Sequence, residues 1–283
     1  MIDDLSTTEE RRQVNYWHPA FRAALRLELE QYADALEIRE EVPLNTEPLR
    51  IDALVIRKIQ DVELKKNLAT IFRKDNIVEF KGPSDYLSVD DFYKVYAYAC
   101  LYSAITKGVT IKDVTITMIE SSPPQALFTH LKKERKYDII EKYPGIYYVE
   151  GDYLPIQIIA TKELEEHENL WLSGIRANLG VEQGGLIARA FMARPKENDI
   201  ETYFDIIMGA NPEILTEVQK MKMSPAFREA FARTELGIEW HKENLDRAHQ
   251  EDARRALALG LPVETVREIT GLTTAAIQEM AKQ

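Results

Sequence analysis

The sequence predicts an α/β chain in two parts: a mixed β-sheet core flanked by helices over residues 1–178, and an all-helical C-terminal region over residues 179–283. Three observations lead there. Residues 16–36 repeat their apolar side chains at the helical period, short alternating or continuous apolar runs recur between residues 35 and 159, and from Glu163 onward only helical patterns remain. The order helix, strands, helix, strand, hairpin and then helices describes a sheet covered by helices and followed by a helical extension.

In the first helix Trp17, Phe21, Ala24, Leu25, Tyr32 and Leu36 share one stripe, while Arg22, Arg26, Glu30 and Asp34 form the solvated face. Two strands are expected at residues 35–42 and 49–56, joined by Pro43-Leu44-Asn45-Thr46-Glu47-Pro48. Residues 61–74 are charged, with Leu64, Leu68, Ile71 and Phe72 at helical spacing, and a third strand over residues 76–81 ends at Gly82-Pro83. Ser88 and Asp91 have the spacing of a capping box and open an aromatic-rich helix running to about Ala104. Residues 113–120 alternate as a strand, and Gly145 to Val149 and Pro155 to Ile159 form a hairpin around Glu150-Gly151-Asp152. Asn211-Pro212 and Ser224-Pro225 each fit an N-cap followed by Pro at the first helical position.

Of the 283 residues, 36 are Lys or Arg and 47 are Asp or Glu, a net charge of -11. That balance argues against a broad basic surface for nucleic acid or anionic membrane, so a nucleic-acid partner has to be met locally. The single cysteine, Cys100, excludes a disulfide framework and a cysteine-based metal cluster, and is expected as buried packing. The N-terminal stretch lacks an apolar signal region and no run of about 18 apolar residues occurs, so no membrane partner and a cytoplasmic location are expected.

Charged residues stand where the local period calls for apolar ones at three places. Glu28 lies on the stripe of Phe21, Leu25 and Tyr32, so its carboxylate points at the core, a costly position unless it is paired or bound to a cation. Asp52 shares a strand face with Leu54 and Ile56, and Glu79 and Lys81, two apart, emerge together while Val78 and Phe80 take the other face. A hard divalent cation such as magnesium takes oxygen ligands, which Asp52, Glu79 and the Phe80 carbonyl can supply. Such an ion polarises a phosphoryl oxygen, Lys81 positions or deprotonates the attacking water or screens developing charge, and Glu28 orients a water or completes a second site. The plainer alternatives are a same-face ion pair for Glu79 and Lys81, and for Glu28 a helix acid paired with an Arg or a Tyr hydroxyl.

This set resembles the PD-(D/E)XK (restriction-endonuclease-like) nuclease superfamily, whose signature is a helix glutamate, a strand aspartate and Glu-x-Lys on the next strand, here Glu28, Asp52 and Glu79-Phe80-Lys81. The stretch from Asn76 to Ser88, continuing into Asp91-Phe92-Tyr93-Lys94, looks most like the branch of transposase-associated and recombination-promoting nucleases. The resemblance covers roughly residues 15–160, with Ile51 at the position of the motif's proline. The 27 residues from Asp52 to Glu79 imply an inserted helix between the strands, and Lys94 and Tyr98 stand where RecB-like members carry Gln-x-x-x-Tyr. It implies a restriction-endonuclease-like sheet and a magnesium- or manganese-dependent DNA endonuclease. The catalytic residues would be Glu28, Asp52, Glu79 and Lys81, with metal bound by Asp52, Glu79 and Phe80.

Other chemistries find less support. The five histidines lack His-x-x-x-His or HExxH spacing, and no GxGxxG or GxxxxGK[ST] occurs. Lys65-Lys66, Arg73-Lys74, Lys132-Lys133 and Arg135-Lys136 either grip backbone phosphates or simply solubilise an acidic protein. The tail from Arg254 has the outline of a helix-turn-helix, but residues 221–283 carry 9 Lys and Arg against 10 Asp and Glu, so it is either a DNA reader or a packing or homo-oligomerising element. The competing function is a catalytically inactive nuclease-fold binding or scaffold protein that oligomerises through its helical C-terminal region.

Overall fold

A computed structural model describes residues 17–39, 54–193, 198–214, 232 and 235–281. Its backbone contacts divide the chain into two compact units, Met1–Met223 and Ser224–Gln283. The helices over residues 181–214 therefore belong with the sheet, whereas the sequence-based division at residue 178 marks the change from strands to helices.

In the first unit the strands are β1 (Leu36–Arg39), β2 (Leu54–Lys58), β3 (Asp75–Phe80), β4 (Val114–Glu120), β5 (Asp138–Tyr143), β6 (Ile146–Glu150) and β7 (Ile156–Ala160). They form one seven-stranded mixed sheet in the order β1-β2-β3-β4-β7-β6-β5. The three central strands β3, β4 and β7 run parallel, and the pairs on either side are antiparallel. Helix α1 (residues 17–28) lies on one face, where the Phe21 ring stacks on Phe80 with centroids 4.1 Å apart. Helix α2 (Val89–Ile105) covers the other face, burying Phe92, Val95, Ala99 and Tyr102 against Val55, Ile77, Ile116, Met118 and Ile158. Ser88 and Asp91 cap it reciprocally, as their spacing predicts, which satisfies two N–H groups of the first turn. Four shorter helices follow: α3 (Gln125–His130), α4 (Leu170–Ser173), α5 (Val181–Ala193) and α6 (Asn198–Ala210). Among the described residues none beyond Ala160 is in a strand, as expected, and no helix is long and apolar enough to cross a membrane.

Several expectations are corrected. The first helix ends near Leu29 instead of Leu36, because Tyr32 enters a 3-10 turn and its hydroxyl accepts the N–H groups of Lys65 and Lys66, while Leu36 pairs with Lys58 in the sheet. Residues 61–74 hold one 3-10 turn, Asn67–Ala69, in place of a helix: the Asn67 side chain accepts the Leu68 N–H, and Asn76 ties down Arg73 through both its N–H and its C=O. Strand β5 carries no apolar run for the sequence to announce, since its charges face solvent at the sheet edge. Its turn into β6 uses Gly145 at φ 71, where a Cβ would lie 2.8 Å from the Ala160 carbonyl oxygen. Cys100 is exposed on α2 and not packed in the core. Asn211 is more than a helix cap: it is buried, its carboxamide oxygen accepts the Leu179 N–H, and its nitrogen donates to the Arg176 and Ile207 carbonyls. Ser224 and residues 40–53 lie outside the described residues.

The second unit contains α7 (Glu235–Ala258), α8 (Val263–Thr270) and α9 (Thr274–Met280). Gly271 at φ 70 ends α8, and the Thr273 hydroxyl accepts the Ala276 N–H to open α9, giving the helix, turn and helix anticipated in the tail. Among the described residues, Ala253, Ala256, Val266 and Ile277 form a buried cluster, with Leu257, Val263, Leu272 and Met280 packed around them.

Candidate functional site

The alternation of β3 puts Glu79 and Lys81 on the face covered by α2, and the pairing of Glu79 with Met118 carries that face across to Glu120 at the end of β4. Both residues thus stand at the carboxyl ends of parallel strands, where open α/β sheets leave a crevice for ligands. The chain then turns at Gly82-Pro83 and returns through Asp85 to the capped start of α2. That return brings the Asp91 carboxylate to 2.8 Å from the Lys81 ammonium, with Glu79 and Asp85 each at 3.9 Å. Glu120 accepts the Leu87 N–H at 2.8 Å and is 5% exposed.

Electrostatics divide these groups. Burial alone would push the Lys81 pKa down, but Asp91, Glu79 and Asp85 outweigh it, and the net shift is upward. Lys81 is therefore held as a cation at neutral pH, suited to stabilising charge and unsuited to deprotonating water. Asp91 feels burial too, yet the Lys81 ammonium and the Ser88 hydroxyl and N–H keep it below the ordinary carboxylate range. At Glu120, burial dominates and Asp85 and Asp91 add repulsion, against the Leu87 N–H and Lys81, so that its pKa rises to about 7. Two groups with opposite charge tendencies at one strand edge are the raw material of acid–base chemistry.

Of the residues inferred from sequence, the structure brings Glu79 and Lys81 together and leaves Glu28 elsewhere. Glu28 is buried as expected, but α1 lies on the Phe80 face, opposite Glu79. One Glu28 oxygen sits 2.7 Å from the Lys66 ammonium, and the other accepts the N–H groups of Trp171 and Leu172 at 2.9 and 3.1 Å. Its pKa rises because burial outweighs Lys66 and those N–H groups. The partner is a lysine from the β2–β3 connection, not the Arg or Tyr that the helix pattern suggested. Asp52 lies outside the described residues. Leu54, where β2 begins, pairs with Val78 of β3.

The Phe80 side chain packs against Phe21 and the edge of His18. Among the described residues no group of three or more His, Cys, Asp or Glu is arranged to hold a metal ion.

Sequence reasoning passed over Glu120, Asp85 and Asp91 as functional groups. Asp91 reads as a cap, which it is, and the Asp85 N–H donates to the Gly82 carbonyl in the turn before α2. The usable signal was an acid at the last position of a strand otherwise rich in Val, Ile and Met. Lys94 stands over the Tyr98 ring at 5.6 Å on the exposed side of α2. Asp75 is a second buried acid on the Glu79 face, held by Arg57 at 2.6 Å and by the Tyr102 hydroxyl at 3.3 Å, a locked pair at the opposite end of β3. Comparison of the chain with family models, with curated proteins and with solved structures gives no match.

Proposed function

We propose that this chain hydrolyses phosphodiester bonds of nucleic acid, with DNA as the substrate, on a restriction-endonuclease-like core of the kind its motifs resemble. The observation that supports this reading most is the Lys81 cation among Glu79, Asp85 and Asp91 at the carboxyl ends of β3 and β4, with buried Glu120 alongside. Lys81 offers charge to the non-bridging oxygens as negative charge builds on the phosphoryl group. Glu120, with a pKa near neutrality, exchanges a proton with the attacking water or the leaving oxygen. The requirement for magnesium or manganese rests on the sequence set of Asp52, Glu79 and the Phe80 carbonyl, and such an ion would supply Lewis-acid polarisation.

The competing reading, a scaffold that keeps the fold without catalysis, draws on the tight Lys81–Asp91 pair, since an ion pair of that length also serves structure alone. Incubating the purified chain with plasmid or labelled oligonucleotide and magnesium or manganese decides between them. Cleavage is expected, falling by about 100-fold or more in Lys81→Ala and Glu79→Ala, the scale of losing one group that stabilises transition-state charge. Asp52→Ala separately tests the metal set. Full activity in both Lys81→Ala and Glu79→Ala overturns the assignment, and a wild-type chain that neither cleaves nor binds magnesium leaves the scaffold.

A further inference from the structure

We infer that the basic turn following α3 is the surface that holds the phosphate backbone of the nucleic acid, an inference that rests on the phosphodiester reading and extends it to substrate binding. Helix α3 starts at Gln125, just past Glu120, and its six residues span about 9 Å at 1.5 Å per residue. It runs on into a π-helical turn, Leu131–Arg135, which closes at Lys136 in the left-handed region with φ 58. Such widened turns are rare and concentrate at functional sites.

The segment carries Lys132, Lys133, Arg135 and Lys136 against a single acid, Glu134, within a chain of net charge -11. Leu131 is fully buried and anchors the turn in the core beneath α2. Arg135 is committed to structure: its guanidinium lies 5.9, 5.6 and 5.1 Å from the ring centres of Tyr93, Tyr96 and Tyr137, and 3.5 Å from Asp152. Lys132, Lys133 and Lys136 are exposed. Asp138 opens the next strand and Asp152 faces Arg135, so the positive field is local to the three lysines.

The turn is also fastened to the candidate site. The Tyr93 hydroxyl meets His130 Nε2 at 3.0 Å, and its ring packs edge-on against the imidazole. Tyr93 is two residues beyond Asp91, the partner of Lys81, so the start of α2 joins His130, the residue before the basic turn, to the Lys81–Asp91 pair. Lysine point charges reach phosphates without reading bases, so the contact is independent of sequence and sensitive to salt.

The test measures binding alone. Fluorescence anisotropy of a labelled DNA duplex is recorded in EDTA, where cleavage is not required, across a salt series for the wild type, Lys132→Ala/Lys133→Ala/Lys136→Ala, and the same three positions changed to Arg. Three lost phosphate contacts should reduce the steepness of log K against log salt by about 2.7, at about 0.9 per contact. The triple Ala variant should bind at least about tenfold more weakly at the lowest salt, and the triple Arg variant should keep the wild-type slope. An unchanged slope in the triple Ala variant, or no binding of duplex by the wild type while phosphatidylserine vesicles are bound, overturns the inference. A chain that binds with the expected slope and cleaves nothing keeps this surface and loses the hydrolytic reading; one that cleaves with the Ala slope unchanged does the reverse.

Discussion

Glu120 and Lys81 stand at the carboxyl ends of β4 and β3 and respond to burial in opposite ways. Burial penalises both charges, but three carboxylates surround Lys81 and restore its ammonium, whereas at Glu120 the Leu87 N–H and the Lys81 charge do not offset burial and the repulsion of Asp85 and Asp91. A carboxyl whose pKa rises to about 7 in the fold, from an ordinary value of 4.5, binds more protons folded than unfolded between those two values. Stability therefore falls as pH rises from 4.5 through about 7, and the charged form costs up to about 3 kcal/mol above that range. Glu120→Gln, which keeps an acceptor for Leu87, should unfold at higher urea than wild type at pH 8 and show no advantage near pH 4.5. Equal midpoints for the two proteins at pH 8 would show that burial does not penalise the Glu120 carboxylate and would weaken its proposed role as a proton carrier.

At the level of elements, Glu28 shows how a catalytic pattern can hide a structural joint. Its carboxylate ties α1 to the N-terminal turn of α4 and to Lys66 in the connection between β2 and β3. Removing one member of a buried pair strands the other charge, so Glu28→Ala should lose about 3–5 kcal/mol by denaturant titration. Any loss of cleavage in a Glu28→Gln variant that remains folded would instead return this residue to the reaction. The same connection explains the missing helix at residues 61–74, because the hydroxyl of Tyr32 and the side chains of Asn67 and Asn76 occupy backbone groups that a helix would have used. Leu64, Leu68 and Phe72 still reach the core, so their helical spacing recorded burial without recording a helix.

On the scale of the whole molecule, each unit encloses a buried apolar cluster of its own. Among the described residues, the α2 side of the sheet holds a cluster of nineteen buried residues, and Ser224–Gln283 holds one of four. Ile277 is fully buried in the second cluster, and Ile277→Ala should cost about 2–4 kcal/mol there. Amide exchange in α8 and α9 should accelerate, while protection of β3 and β4 stays as in the wild type; uniform acceleration through the sheet would contradict the division into separate cores. The net charge of -11 limits non-specific binding, so the lysines at 132, 133 and 136 matter as a local exception to it.

The sequence by itself determined the central strands, the capped aromatic helix, the hairpin and the shift to helices after Ala160, because each is written in periodicity and capping over a few neighbouring residues. It also determined that Glu79 and Lys81 share a face, since a two-residue spacing in a strand permits nothing else. Only the tertiary structure decided the partners: Lys66 for Glu28, Asp91 for Lys81, and Glu120 on the strand beside Glu79. The sheet edge β5 and the exposure of Cys100 were likewise settled by position in the assembled layers. Faces follow from local geometry, whereas the element that covers a face, and the charge it brings there, depends on how distant parts of the chain fold together.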